Sequence, residues 1–165
     1  MLEKLHKEKF GVILPITLIS YFLILMDNSI IFTSSVQIGE SLNLSAASLS
    51  WVSSAYTLMF GGFLLLSGRL SDLLGRKRIF LFGLLIFGIS SLIIGLSRTA
   101  EMVIAMRAIQ GIGSSIIAPT TLALIMDAYQ NNMRQRAISY YGATAGIGSS
   151  VGLLVGGGLT SLISW

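Results

Sequence analysis

Long stretches without a charged residue restrict the fold of this 165-residue chain more than any other feature. The uncharged runs cover residues 10–26, 28–39, 41–68, 79–97, 108–126 and 137–165. Charged residues make up only 11% of the chain and hydrophobic residues 53%, whereas a soluble domain carries about 25% charged residues. The chain therefore has too few polar side chains to cover a soluble domain, and we expect an integral membrane protein in contact with the lipid bilayer.

The uncharged runs are long enough to form membrane-spanning helices. Crossing about 30 Å of hydrocarbon takes about 20 mostly apolar residues, whereas strands of a membrane barrel show segments of about ten alternating residues. We predict an all-α fold with five transmembrane helices. They are placed at about 11–35, 48–68, 79–97, 101–127 and 137–163, after a cytoplasmic N-terminus at 1–10.

Basic residues concentrate in alternate connections between the predicted helices. Nine lie on one side, and only Arg98 lies in a connection on the other. The nine are Lys4, Lys7, Lys9, Arg69, Arg76, Lys77, Arg78, Arg134 and Arg136. Since cytoplasmic loops carry the excess of Lys and Arg, we predict a multi-pass protein of the cell membrane with its N-terminus in the cytoplasm and its C-terminus outside. The same asymmetry explains the net charge of +4, so we expect no nucleic-acid partner.

Catalytic and metal-binding side chains are scarce. The chain has no cysteine and a single histidine, His6. A disulfide framework or a thiolate metal site is therefore impossible, and an intramembrane enzyme would need a cluster of nucleophile, base or metal ligands. We expect no catalytic residues, no metal and no cofactor.

Asp27 and Arg107 are ionisable residues inside predicted spans. Such residues are costly in the bilayer and usually mark substrate or proton pathways. At 1.5 Å per residue, both are expected at similar depth in the outer half of the membrane, where they can pair or share a cavity if their helices are neighbours. Gln110, one turn after Arg107, belongs to the same polar stripe. The alternative is that the pair only holds two helices together.

Two further segments stand out. In the fifth span, small residues at G-x-x-x-G spacing favour close helix packing, although glycine also permits bending. These glycines are Gly148, Gly152 and Gly156, with Gly157 adjacent. Between the second and third spans, residues 68–78 read as a short charged loop in which Asp72 and Arg76 have the helical i,i+4 spacing. The loop does not match a phosphate-binding loop.

This loop resembles the signature G-x-L-x-D-x-x-G-R-[RK] of the major facilitator superfamily of secondary transporters. The matching residues are Gly68, Leu70, Asp72, Gly75, Arg76 and Lys77. A second family motif, R-x-x-Q-G, stands as Arg107, Gln110 and Gly111. The segment 25–31 is similar to the L-D-x-[TS]-I-V segment of the fourteen-helix drug–proton antiporters, with Met26 between the leucine and Asp27.

Two positions depart from the antiporter pattern. Val36 occupies the position where we would align a proline after the helix-1 aspartate, and Leu153 replaces the proline of the helix-5 signature G-x-x-x-G-P-x-x-G-G. A proline-induced bend is therefore missing from helix 5.

The resemblance implies the N-terminal part of a proton-coupled secondary transporter, with multidrug efflux of a small, hydrophobic substrate as its function. It implies that Asp27, Arg107 and Gln110 couple protons to substrate, that the motif at 68–77 forms a conformational latch, and that the helix-5 glycines pack against the other half of the transporter. The alternative is a small accessory or assembly subunit without transport activity that pairs with another chain.

Transporters of this superfamily contain repeats of three helices. Five helices correspond to one repeat and two thirds of the next, so we expect a truncated, split or partial transporter that does not transport alone. The other possibility is a second chain that supplies the missing helices. Without those helices, we expect the glycine face of the fifth span to meet lipid or another chain.

Overall fold

A computed structural model describes residues 10–162 of the chain, with side chains described for residues 10–158. The described residues form five α-helices and contain no strand, which confirms the predicted all-α class. The helices are α1 (Ile13–Ser41), α2 (Ala46–Leu74), α3 (Arg76–Gly95), α4 (Ala100–Ala128) and α5 (Asn131–Leu162). Most of the predicted cytoplasmic N-terminus, residues 1–9, lies outside the described residues.

Four of the five helices are long and apolar enough to cross a membrane, namely α1 to α4. They contain 20 to 29 residues, or about 30 to 44 Å at 1.5 Å per residue. The 32-residue α5 is long enough, but it is not among these four. Its first turns are polar and the rest is rich in glycine and serine, which lowers its hydropathy although the helix is continuous.

The helix starts follow from local capping. The Ser45 side chain accepts a hydrogen bond from the Ser48 amide at 3.1 Å, and the Thr99 side chain accepts one from the Met102 amide at 3.3 Å. These bonds satisfy amides that the first turn of a helix leaves unpaired. At the start of α1 no side chain of the same turn does this, and the amide of Leu14 instead donates to the Tyr129 hydroxyl at 3.3 Å. The end of α4 thus completes the first turn of α1.

The expectation of a loop at residues 68–78 is wrong. Gly68, Leu70 and Asp72 belong to the last turns of α2, and Arg76 already begins α3. Gly75 alone separates the two helices, with φ at 96°. Glycine adopts this conformation without the steric penalty that other residues carry, so one residue suffices to turn the chain.

Helix α4 occupies the centre of the bundle. It packs mainly against α2 and α3, whereas α5 packs against α1. Glycines permit this close approach: a Cβ atom at Gly113 would lie 2.8 Å from the Phe87 backbone nitrogen of α3, and one at Gly83 would lie 2.7 Å from the Ile116 side chain of α4. Apolar clusters fill the remaining contacts, for example Ile24 with Phe80, Phe87 and Ile117. The central position of α4 places its polar stripe in the interior.

Candidate functional site

Asp27 and Arg107 form an ion pair, which is one of the two arrangements expected from the sequence. An Arg107 guanidinium nitrogen lies 2.9 Å from Asp27 Oδ2. The Arg107 side chain is only 2% exposed, whereas that of Asp27 is 22% exposed. The pair joins α4 to α1, and within these five helices its carboxylate is the more exposed member.

Arg107 has four further contacts. Its guanidinium donates to Gln110 Oε1 at 2.5 Å, to Asn28 Oδ1 at 3.3 Å and to the Val52 backbone carbonyl at 3.3 Å. The Tyr56 ring lies against it, with 4.2 Å between the Arg107 Cζ atom and the ring centroid. A cation over an aromatic face is stabilised by the ring quadrupole, most of all where water is excluded. The positive charge is therefore held by groups from α1, α2 and α4.

Gln110 connects the ion pair to α3. Its side-chain nitrogen donates to Asp27 Oδ1 at 3.0 Å and to the Ser91 hydroxyl at 2.6 Å. Each carboxylate oxygen of Asp27 thus accepts one hydrogen bond, from Arg107 and from Gln110. We call Asp27, Asn28, Tyr56, Ser91, Arg107 and Gln110 the polar network. It links four helices through hydrogen bonds that are worth most where water is scarce.

The sequence explains why these side chains meet. Arg107 and Gln110 are three residues apart and therefore lie on the same face of α4. Gly111 follows at the contact with α2, where an added Cβ atom would collide with the Tyr56 carbonyl oxygen and lie 3.2 Å from the Met59 Cβ atom. Because Gly111 has no side chain, the α2 backbone can approach α4 and bring Tyr56 to the guanidinium.

A second ionic cluster lies where α2, α3 and α4 meet at the other end of the bundle. Arg76 lies 3.2 Å from Asp72 Oδ1, in agreement with their i,i+4 spacing, and 2.7 Å from Asp127 Oδ1. It also donates to the Ala123 carbonyl at 3.0 Å. We call Arg76, Asp72 and Asp127 the surface cluster, since their side chains are 31%, 56% and 60% exposed.

The other residues of the 68–77 motif take ordinary helical positions near this cluster. Gly68 and Leu70 are partly buried on α2, while Lys77 is exposed on the first turn of α3. The three charged residues of the surface cluster therefore come from three helices. The turn at Gly75 sets the direction in which α3, and with it Arg76, continues from α2.

The helix-5 glycines lie against α1. A Cβ atom at Gly148 would lie 3.1 Å from the Leu25 Cβ atom, one at Gly152 would lie 2.6 Å from the Met26 carbonyl oxygen, and one at Gly156 would collide with the Thr33 hydroxyl. The expectation that this face meets lipid, another chain or another half is therefore wrong, because α1 fills it. At Gly157, which is exposed, an added Cβ atom would meet no heavy atom within 4 Å.

Four contributing residues are not among the predicted site residues: Asn28, Tyr56, Ser91 and Asp127. An amide next to Asp27 in an apolar segment was a usable signal for Asn28, and an acidic residue at the end of the α4 run was one for Asp127. Tyr56 and Ser91 carried no signal, since their roles depend on how α2 and α3 pack on α4. Within residues 10–162 no group of three or more His, Cys, Asp or Glu side chains is placed to bind a metal.

Comparison with known proteins identifies the family. The family model of the major facilitator superfamily matches residues 17–165, which is most of the chain. The chain belongs to the major facilitator superfamily. Both the polar network and the surface cluster lie inside the matched region. The family and the apolar helices together identify a multi-pass membrane protein.

Several curated proteins are similar to this chain. The puromycin resistance protein pur8 of Streptomyces alboniger is 39% identical over 92% of this chain and 30% of its own length. The cephamycin export protein CmcT of Amycolatopsis lactamdurans is 38% identical over 88% and 30%, and multidrug resistance protein 3 of Bacillus subtilis is 37% identical over 85% and 27%. The chain spans less than a third of the length of these relatives.

Proposed function

We propose that this chain contributes the proton- and substrate-coupling part of a secondary transporter that exports small molecules. The observation that carries the proposal is the unequal exposure of the ion pair: Asp27 is 22% exposed and Arg107 2%. A proton or cation arriving from the accessible side meets the carboxylate first. Ionisable residues that face a cavity in the membrane are a usual feature of proton relays.

The names of the relatives support efflux of drug-like compounds. They include a puromycin resistance protein, a cephamycin export protein and a multidrug resistance protein. We infer that the substrate is a small, hydrophobic molecule that competes with a proton for Asp27. Gln110 takes part because it donates to the second carboxylate oxygen and thereby orients the carboxylate.

We infer that the surface cluster acts as a conformational latch. Arg76 links Asp72 of α2 to Asp127 of α4, so it connects two helix ends that would move apart during alternating access. Exposed ion pairs contribute only about 0.2–1 kcal/mol, a strength suited to a contact that must break in every cycle. Lys77, exposed beside it, anchors this end at the membrane surface.

Basic residues at the same end of the bundle indicate how it is oriented in the membrane. Arg69, Arg76, Lys77 and Arg78 cluster around the α2–α3 junction, and Arg134 and Arg136 lie on the first turns of α5. We propose that this end faces the cytoplasm, in keeping with the distribution of Lys and Arg in membrane proteins. The N-terminus then lies in the cytoplasm and Trp165 lies outside.

We also propose that these five helices do not form a complete transport path. A row of hydroxyl side chains on α2 is exposed, and polar groups in membrane helices usually face protein or a cavity. The row comprises Ser50, Ser53, Ser54 and Thr57. Further helices, either on the same polypeptide or on a second chain, would cover it. If a second chain covers the row and the resulting complex does not transport, the protein is instead an accessory subunit.

A chimera tests the proposed function. The segment of pur8 that matches this chain is replaced by the corresponding residues of this chain, and puromycin resistance of cells is measured. We expect resistance in the parent chimera, loss of at least tenfold in the Asp27→Asn variant, and no loss in Glu40→Gln, an exposed carboxylate on the same helix. Equal resistance in all three would contradict the proposal. The 165-residue chain expressed alone, with abundance verified, should confer none.

A further inference from the structure

Asn28 occupies an unusual position in the polar network. Its side-chain nitrogen donates to the Ile24 backbone carbonyl at 3.0 Å and to the Tyr56 hydroxyl at 2.8 Å. A carbonyl oxygen only accepts, so the contact with Ile24 fixes which end of the amide is the donor. The other end, Oδ1, therefore faces Arg107, whose guanidinium donates to it at 3.3 Å.

The contacts of Arg107 divide into one charged and several neutral acceptors. A guanidinium has five N–H donors, and four of them have acceptors in Asp27, Asn28, Gln110 and the Val52 carbonyl. Asp27 is the only one of these that is anionic. If Asp27 takes up a proton or binds a cation, the positive charge of Arg107 loses its counter-charge while it stays buried.

A buried cation without partners is strongly destabilising. When Asp27 no longer compensates its charge, Arg107 keeps only its neutral acceptors and the Tyr56 ring. Gln110 is shared, because its nitrogen also donates to Asp27 and Ser91. Asn28 has no hydrogen bond to Asp27 among those of the described residues, so a change at Asp27 does not reach it directly.

We propose that Asn28 is a positioning residue that keeps the Arg107 guanidinium in place while Asp27 exchanges its partner. This rests on the proposed exchange at Asp27. An amide suits the task because it offers an acceptor without a second negative charge that would itself compete for the proton. Tyr56 supports it from α2, by accepting from the Asn28 amide and by covering the guanidinium with its ring.

Nitrogen NMR of the arginine side chains tests the proposal on the 165-residue chain in lipid nanodiscs. The Arg107 signal is identified by its loss in Arg107→Lys, and its hydrogen exchange with water is measured. The Asp27→Asn variant represents the neutral state. We expect slow exchange in the wild type, in Asp27→Asn and in Asn28→Ala, and exchange about ten- to a hundredfold faster in the double variant Asp27→Asn/Asn28→Ala.

Two variants in the Asp27→Asn background separate positioning from general disruption. Asn28→Asp restores an acceptor at position 28 and should keep exchange slow. Gln37→Ala, which removes another amide from α1, should also leave it slow. If the double variant does not fold, Asp27→Asn/Tyr56→Phe, which removes only the hydroxyl that Asn28 bonds, should show a several-fold increase.

The proposal is overturned if Asp27→Asn alone releases Arg107 as fully as the double variant, or if the double variant exchanges as slowly as the wild type. These results are independent of efflux. If the Asp27→Asn chimera still confers full resistance, the proposed function fails even when the exchange data match. If resistance depends on Asp27 but exchange does not depend on Asn28, only the role of Asn28 fails.

Discussion

The polar network and the surface cluster contain ion pairs of similar length in opposite environments. Arg107 lies 2.9 Å from Asp27, and Arg76 lies 2.7 Å from Asp127 and 3.2 Å from Asp72. Arg107 is 2% exposed, however, whereas Arg76 is 31% exposed. Distance therefore says little about what each pair contributes. Removing one partner from a buried pair leaves an uncompensated charge, while water replaces a lost partner at the surface.

The largest effect is expected for Arg107→Leu. This change leaves the Asp27 carboxylate partly buried without its cation and should destabilise the bundle by about 3–5 kcal/mol. Reversible unfolding in mixed detergent measures it. Arg98→Leu, at an exposed position, is the matched control and should change stability by no more than about 0.5 kcal/mol. If the two substitutions lowered stability equally, burial would not determine how much each arginine contributes to stability.

A backbone contact supports the buried region, and Gly111→Ala is expected to disturb it. The new methyl group would collide with the Tyr56 carbonyl oxygen, so α2 must move away from the guanidinium. Overpacking of this kind costs about 1–3 kcal/mol, measured by the same unfolding assay. Gly62→Ala on α2, where an added Cβ atom meets nothing within 4 Å, should be neutral or slightly stabilising. A neutral Gly111→Ala would show that α2 does not depend on this close approach.

The surface cluster should respond more weakly to Arg76→Gln. Loss of two exposed ion pairs should lower stability by no more than about 1 kcal/mol, and the difference should shrink at high salt. In the chimera the same variant should lower resistance several-fold at normal protein abundance, since the latch is weakened. Arg78→Gln, exposed two residues further on, should do neither. A loss of stability as large as that of Arg107→Leu would contradict the comparison.

The smallest effect is expected for Asp127→Asn. Arg76 keeps Asp72 and the Ala123 carbonyl as partners, so the coupling energy between positions 76 and 127 should not exceed about 0.5 kcal/mol. A double-mutant cycle with Arg76→Gln measures it. A coupling of several kcal/mol would mean that the surface cluster behaves like the buried network.

The two regions also differ in how well the sequence predicts them. Asp27 and Arg107 are recognisable because a charge in an apolar run is rare, and Asp72 and Arg76 because their spacing is helical. The residues that orient Arg107 are not recognisable in the same way. Tyr56 and Ser91 reach the network only because α4 lies between α2 and α3, which is a matter of tertiary packing.

Helix positions were easier to predict than their ends and contacts. The six uncharged runs, of which only Asp27 separates the first two, predicted five helices, since hydrocarbon selects apolar segments whatever their packing. The ends differ because helical hydrogen bonding continues past the apolar run, to Ser41 in α1 and Leu74 in α2. The partner of the glycine face was mispredicted for a similar reason: spacing marks a face suited to close packing, and which helix fills it depends on the assembled bundle.

Proton release on substrate binding tests most directly whether Asp27 couples protons to substrate. The purified chimera is placed in weakly buffered detergent solution with a pH-sensitive dye, at a pH low enough that Asp27 carries a proton, and is mixed with the compound that it exports. We expect the parent and the Asp72→Asn variant to release protons to the same extent, while the Asp27→Asn variant releases none. Release that persists without Asp27, or that disappears with Asp72→Asn, would contradict the claim that the buried pair carries the coupling and the surface cluster does not.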